Sequence, residues 1–288
     1  MDLFNLEGAF LTASLVSAVV TMVFTILAFV STRRRMMAVK DSRNNEGAPS
    51  YEPKRVPDRI TFVLSLVTLV LITITIIIRI IATGRGPFAN MFEFALAFSW
   101  GIVVMGLLFE WRYKTAAVKN LGFIVSILLL IFATVQHAKA EPLMPALQQS
   151  VLLSLHVASA VAAYGILTIG FGSALLFIIQ NRKNSIWLPD KSVLDTISYQ
   201  AVIFGFPFLT LTIILGALWG DIAWGRYWGW DPKETASLVT WLVYAAYIHA
   251  RVMRGWRGTK TAVLLIIGFA AIVLTFFGNY IFTGLHAY

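Results

Sequence analysis

Long apolar stretches separated by polar joints dominate the chain: Ala9–Val30, Ile60–Ala82, Met91–Leu108, Leu121–Val135, Val151–Ile179, Ile197–Trp219, Ala236–His249 and Ala262–Ile281. Crossing a hydrocarbon layer of about 30 Å takes about 20 helical residues, and the windows are of that order. They lack the two-residue alternation of barrel strands, and lipid offers no partner to an open backbone group, so each predicts a membrane-crossing helix. The expected fold is therefore an all-α integral membrane protein with about eight transmembrane helices, a single multi-pass domain spanning residues 1–288. The joint Thr32–Arg59, with its Asn, Gly, Pro, Ser and charges, predicts a flexible connection. No repeat of about 20–50 residues is present.

Composition agrees with this reading. Of 288 residues, 58% are hydrophobic and 13% charged, against roughly 25% charged in a soluble globule, and the mean hydropathy is +0.78. The net charge of +9 would suit a nucleic-acid binder if it were gathered on one surface, but the basic residues occupy alternate joints. Arg33, Arg34, Arg35, Lys40, Arg43, Lys54, Arg55 and Arg59 fill the first; Arg112, Lys114 and Lys119 the third. Arg182, Lys183 and Lys191 follow in the fifth, and Arg251, Arg254, Arg257 and Lys260 in the seventh. That is the positive-inside pattern. These joints are expected in the cytoplasm, both termini on the outer side, and nucleic acid is not expected as a partner. The first apolar run has its basic cluster after it, so it is expected to remain as a span and not to be cleaved as a secretory signal. Cysteine is absent, which excludes disulfides and thiolate ligands from this chain. Any thiol reductant, a thioredoxin-like protein for example, is then a partner.

The outer joint Gly220–Thr235 holds the densest chemistry. Trp219, Trp224, Trp228 and Trp230 crowd there with Tyr227, interleaved with Gly220, Gly225 and Gly229. One or two tryptophans at this depth are an aromatic belt. Four, with glycines that let backbone approach closely, also make a platform for a flat apolar ligand. Asp231 can cap a helix that starts at Pro232, with Glu234 as the capping-box partner.

Histidines complete the pattern. His156 lies about one and a half turns inside the fifth span, and His286 closely follows the last; both fall on the outer side. Each alone is also explained as a hydrogen-bonding residue between helices. Together, two neutral imidazoles could bind a haem iron from opposite faces, with Arg226 and Lys233 flanking the tryptophans as propionate partners or as solvated loop charges. His249 falls near the inner surface beside Ala245, Ala246 and Ala250, and reads equally as an inner ligand or as a packing residue. His137 reads as a solvated loop residue. Glu93, in Asn90-Met91-Phe92-Glu93, either orients a ligand histidine or favours a helix N-terminus.

With Trp224-Gly225-Arg226-Tyr227-Trp228-Gly229-Trp230-Asp231-Pro232-Lys233-Glu234-Thr235 in view, the chain resembles the CcsA (ResC) family of c-type cytochrome biogenesis proteins and their tryptophan-rich WWD segment. The resemblance runs from about residue 90 to 288. Asn90–Glu93 is similar to the family's N-x-[YF]-E element, Leu155-His156 to its outer histidine helix, Ile248–Arg251 to L-H-x-R and Gly284–Tyr288 to G-L-H-S-Y. Phe92 stands where tyrosine is frequent, Ala236 where tryptophan is, and Ala287 replaces serine.

The resemblance implies a protein that handles haem b and presents it on the outer face for covalent attachment to an apocytochrome c bearing Cys-x-x-Cys-His. It implies His156 and His286 as external axial ligands, the tryptophan segment as porphyrin support, and His249 in an inner site completed by a CcsB (ResB) partner. The membrane would be a bacterial cytoplasmic membrane, or a thylakoid membrane in a plastid. Direct participation in ligation, as the membrane subunit of a cytochrome c haem lyase (holocytochrome c synthase), is one expectation. A haem-binding chaperone or exporter, or a transporter of another aromatic solute, are the alternatives.

Overall fold

In the computed structural model, which describes residues 2–43, 57–136, 151–185 and 188–281, every apolar window becomes a helix. In order these are α1 (Leu3–Arg43), α2 (Pro57–Thr83), α3 (Met91–Tyr113), α4 (Ala117–Val135), α5 (Val151–Lys183), α6 (Lys191–Trp224), α7 (Pro232–Val252) and α8 (Thr259–Ile281). The chain is an all-α integral membrane protein. Seven of these helices, all but α7, are long and apolar enough to cross a membrane by themselves. α7 spans 21 residues, but Pro-Lys-Glu-Thr opens it and His-Ala-Arg-Val closes it, and it packs between α6 and α8. The window at Ala236–His249 is thus a helix of the bundle with less apolar character than the other seven.

The joint read as Thr32–Arg59 is shorter than its composition suggests, because α1 continues through Arg43. Arg, Met, Ala and Lys, which fill the stretch after Thr32, are good helix formers, and polarity alone does not stop a helix. His137, His286 and the terminal Gly284–Tyr288 element lie outside the described residues.

Sequence neighbours pair as hairpins, α1 with α2, α3 with α4, α5 with α6 and α7 with α8. α5 is the spine: it also packs against α3, α4 and α8. Glycines set its crossing with α3. A Cβ on Gly165 would lie 2.8 Å from the carbonyl oxygen of Gly101, and one on Gly101 would lie 2.9 Å from that of Val161. α3 and α5 therefore meet backbone to backbone, the small-residue packing that works where lipid removes the hydrophobic incentive for helices to associate.

Polar contacts join the other helices. Ser17 and Thr68 hydroxyls meet at 2.9 Å between α1 and α2, and Thr240 and Thr275 at 3.1 Å between α7 and α8. At the end of the bundle that carries the basic joints, Lys119 is buried against Glu110 at 2.7 Å and Ser65 at 3.0 Å. At the opposite end, the α2–α3 joint, the start of α5 and the end of α6 come together around Trp219.

Candidate functional site

His156 is seated against α6. Its Nδ1 lies 2.8 Å from the carbonyl oxygen of Thr212, and a carbonyl only accepts, so Nδ1–H donates and Nε2 of the neutral ring keeps its lone pair. Gly216, one turn further along α6, makes room for the ring: a Cβ there would lie 2.8 Å from His156 Cε1 and 3.0 Å from Nδ1. Ser159 closes the arrangement, donating to the His156 carbonyl at 2.7 Å and meeting the Thr212 hydroxyl at 3.0 Å.

This histidine lines a hollow of about 120 Å3, smaller than the roughly 300–1000 Å3 usual for a preformed small-molecule site. Met91, Phe94 and Phe98 of α3 form one wall, and Trp219, Trp224, Tyr227 and Trp228 another; Tyr164 of α5 and Phe276 of α8 also contribute. The lining is mainly apolar and rich in aromatic rings, with a few polar groups: His156, Lys233, Glu234 and the hydroxyls of Thr212, Ser237 and Thr275.

The four tryptophans do not form one flat shelf. Trp219 is buried and meets Trp224 edge to face, centroids 4.8 Å apart at 73°. Trp228 lines the hollow, whereas Trp230 is 70% exposed and stands at 89° to it, outside the lining. The joint between them is tightly specified. Gly225 ends α6 at φ +70°, its N–H donating to Asp221 at 2.8 Å. The capping box expected at Asp231 and Glu234 is present. Glu234 accepts from the N–H of Gly229 at 2.8 Å and of Asp231 at 3.2 Å, and Asp231 accepts from the N–H of Lys233 at 3.0 Å. Between the two bonds to Glu234, Trp230 is held at φ +56°, a region that costs a bulky residue about 1–3 kcal/mol.

The two flanking cations have different surroundings. Lys233 lines the hollow with its ammonium 5.4 Å from the Phe94 ring centre, an attractive cation–π distance. Arg226 is exposed and lies over Gly229, where a Cβ would be 2.7 Å from its guanidinium carbon; it is outside the lining. Asp231 caps α7 and is also outside it.

Two further candidates lie elsewhere. Glu93 is fully buried and accepts from Arg79 Nε at 2.9 Å, Arg85 Nη1 at 2.8 Å and the Ala89 N–H at 2.7 Å. Its partners are arginines and backbone, and it opens α3 beside the N-cap Asn90. His249 is exposed on the far part of α7, roughly 25 Å from Pro232 at 1.5 Å per residue. Near it in sequence, Arg251 grips Asp195 with two bonds of 2.8 and 2.6 Å, beside a polar hollow lined by Ser192, Tyr199 and Arg257.

Several lining residues had no signal of their own in the sequence. Phe94, Phe98, Tyr164, Gly216 and Phe276 are ordinary residues of apolar spans, and only the folded arrangement gathers them. Arg79 did carry a signal, as a lone cation within a span.

The profile of the cytochrome c assembly protein family matches residues 88–286. This chain belongs to that family. The resemblance to CcsA agrees with individual relatives. The cytochrome c biogenesis protein CcsA of Guillardia theta is 35% identical over 247 residues, covering 75% of this chain and 82% of the relative. That of Chlamydomonas reinhardtii is 37% identical over 230 residues, covering 76% and 65%. That of Prochlorococcus marinus (strain MIT 9301) is 32% identical over 263 residues, covering 79% and 85%. Among solved structures, a protein described as cytochrome c heme lyase CcmF superposes with a TM-score of 0.63 at 17% identity, over 96% of this chain and 47% of that one. The likeness is one of fold, and this chain spans about half the length of that structure. The chain is thus a multi-pass membrane protein of cytochrome c assembly.

Proposed function

We propose that this protein holds haem b as cargo in the tryptophan-lined hollow on the outer face and presents it to an apocytochrome c for covalent attachment. The observation that carries the reading is the seat of His156, with Nδ1 committed to the Thr212 carbonyl at the edge of an aromatic hollow. Among the described residues no group of three or more His, Asp or Glu could cage a bare metal ion. One oriented imidazole with aromatic walls instead suits an iron that brings its own macrocycle and takes axial ligands from the protein. The donor set therefore fits haem.

In this reading His156 supplies one axial nitrogen and His286 the other. Trp219, Trp224 and Trp228 wall the porphyrin, and Lys233 neutralises a propionate. Arg226, Trp230 and Asp231 shape the rim. The protein's part is to bind, orient and exclude water while the acceptor's thiols reach the haem vinyl groups. His249, exposed at the other end, is available to an inner site completed by a CcsB/ResB-type subunit. The names of the CcsA relatives and of the CcmF structure support the reading.

An absorption spectrum of the purified protein, with its partner present, tests it. A Soret band that shifts or weakens in His156→Ala is expected; a colourless wild-type complex after haem supply would refute haem binding. Ligation is a separate question. If His286→Gly loads haem normally yet forms no thioether with an apocytochrome, the chain takes part in attachment; unchanged thioether yield would make it a chaperone.

A further inference from the structure

The family match begins at residue 88, which leaves α1 and α2 outside it. We propose that Arg79 of α2 is a positioning residue for the tryptophan-lined hollow, and that α1 and α2 are thereby a working part of the site. The inference rests on the haem-presenting reading above.

Arg79 is fully buried, one turn before α2 ends at Thr83. Its Nε donates to Glu93 at 2.9 Å, its Nη1 to Glu7 of α1 at 3.4 Å, and its guanidinium lies 5.0 Å from the centre of the Phe92 ring. Glu93 is equally buried and also accepts from Arg85 and from the backbone of Ala89. One carboxylate thus ties together α2, the α2–α3 joint and the first turn of α3, and the same guanidinium extends the tie to α1.

What this knot holds is a wall of the hollow. Phe94 directly follows Glu93 and lines the cavity, with Phe98 one turn on. Phe88 and Ala89 pack into the same apolar cluster as Trp219 and Trp224. In this network, among the described residues, two carboxylates face two guanidiniums. Its contribution is directional: a planar guanidinium fixes the two carboxylates at set angles, which a point charge does not. Joining α1 to α2 does not require it, because Ser17–Thr68 and apolar contacts already do so. Buried ion networks are replaceable by apolar packing with little loss of stability, so fixed geometry is the property that this one supplies.

The test uses the full-length protein with its partner subunit, titrated with haem, comparing wild type, Arg79→Lys and Glu7→Gln. Thermal midpoint and tryptophan emission are read on the apoprotein; haem Kd and Soret position are read on the titration. Arg79→Lys is expected to stay folded, shift the tryptophan emission and bind haem at least tenfold more weakly with a displaced Soret band. Glu7→Gln should move the same readouts in the same direction by less. Folded variants with wild-type Kd, Soret position and emission overturn the proposal. Should both variants fail to fold, hydrogen exchange on the wild type decides: haem loading is expected to protect the segments around Glu7 and Arg79 together with that around His156, and protection confined to the last overturns it. If the wild type takes up no haem, the functional reading fails, and the positioning claim then stands or falls on the tryptophan emission of the variants.

Discussion

At the scale of single residues, the contact between His156 and Gly216 makes the sharpest demand. Alanine in a helix is about 1 kcal/mol better than glycine, so Gly216→Ala should leave the thermal midpoint unchanged or raised if only α6 matters. The added methyl, however, would sit 2.8 Å from the imidazole, forcing the ring off the Thr212 carbonyl. The expected outcome is a folded protein with a displaced Soret band and altered midpoint potential, checked by spectroelectrochemistry; an unaltered spectrum would show that the seat is irrelevant. Lys233→Ala should weaken haem binding severalfold, whereas Arg226→Ala, outside the lining, should change it little, as equilibrium titration would reveal. Residue type and depth were enough to single out His156 and Lys233 from sequence. Gly216 was not legible, because a glycine in a span has no partner until another helix is placed against it. Glu93 left two roles open, and the choice between them depended on where Arg79 and Arg85 fell in space.

The α6–α7 joint shows what a whole element adds. Its capping box was readable from Asp231, Pro232 and Glu234, since those residue types satisfy orphan N–H groups at a fixed spacing. Asp231→Ala should cost about 1 kcal/mol of stability, measurable as a lowered unfolding midpoint. The left-handed backbone of Trp230 was not readable, because tryptophan has no preference for that region; it follows from the two bonds that Glu234 makes on either side. Trp230→Gly should therefore raise the thermal midpoint of the apoprotein by relieving that strain. Glu234→Ala should loosen the joint, seen as a weaker near-UV tryptophan signal and faster proteolysis there. A Trp230→Gly protein no more stable than wild type would mean that the indole's own contacts offset the strain.

Across the whole molecule, hydropathy located each of the described helices, because the apolar runs are long and lipid leaves few other structures open to them. The mixed composition of α7 is explained by position: flanked by α6 and α8, it can place Thr240 against Thr275 and bury Tyr244 and Tyr247. The proposed sidedness rests on charge alone, and the cysteine-free chain is suited to checking it. A membrane-impermeant maleimide should label Arg226→Cys in intact cells or right-side-out vesicles and Arg254→Cys only after permeabilisation. The reverse result would put the tryptophan-lined hollow in the cytoplasm and end the outer-face proposal. The hollow itself could not be drawn from sequence, since its walls come from α3, α5, α6, α7 and α8 at once.

The main-chain contact of Gly101 with Gly165 carries a mechanical consequence. Where backbones approach this closely any added side chain must push the helices apart, so the spacing of α3 and α5 is set at these two glycines. His156 is carried on α5, about one turn before Val161, whose carbonyl faces Gly101. Anything that parts α3 from α5 is therefore expected to move the imidazole with it.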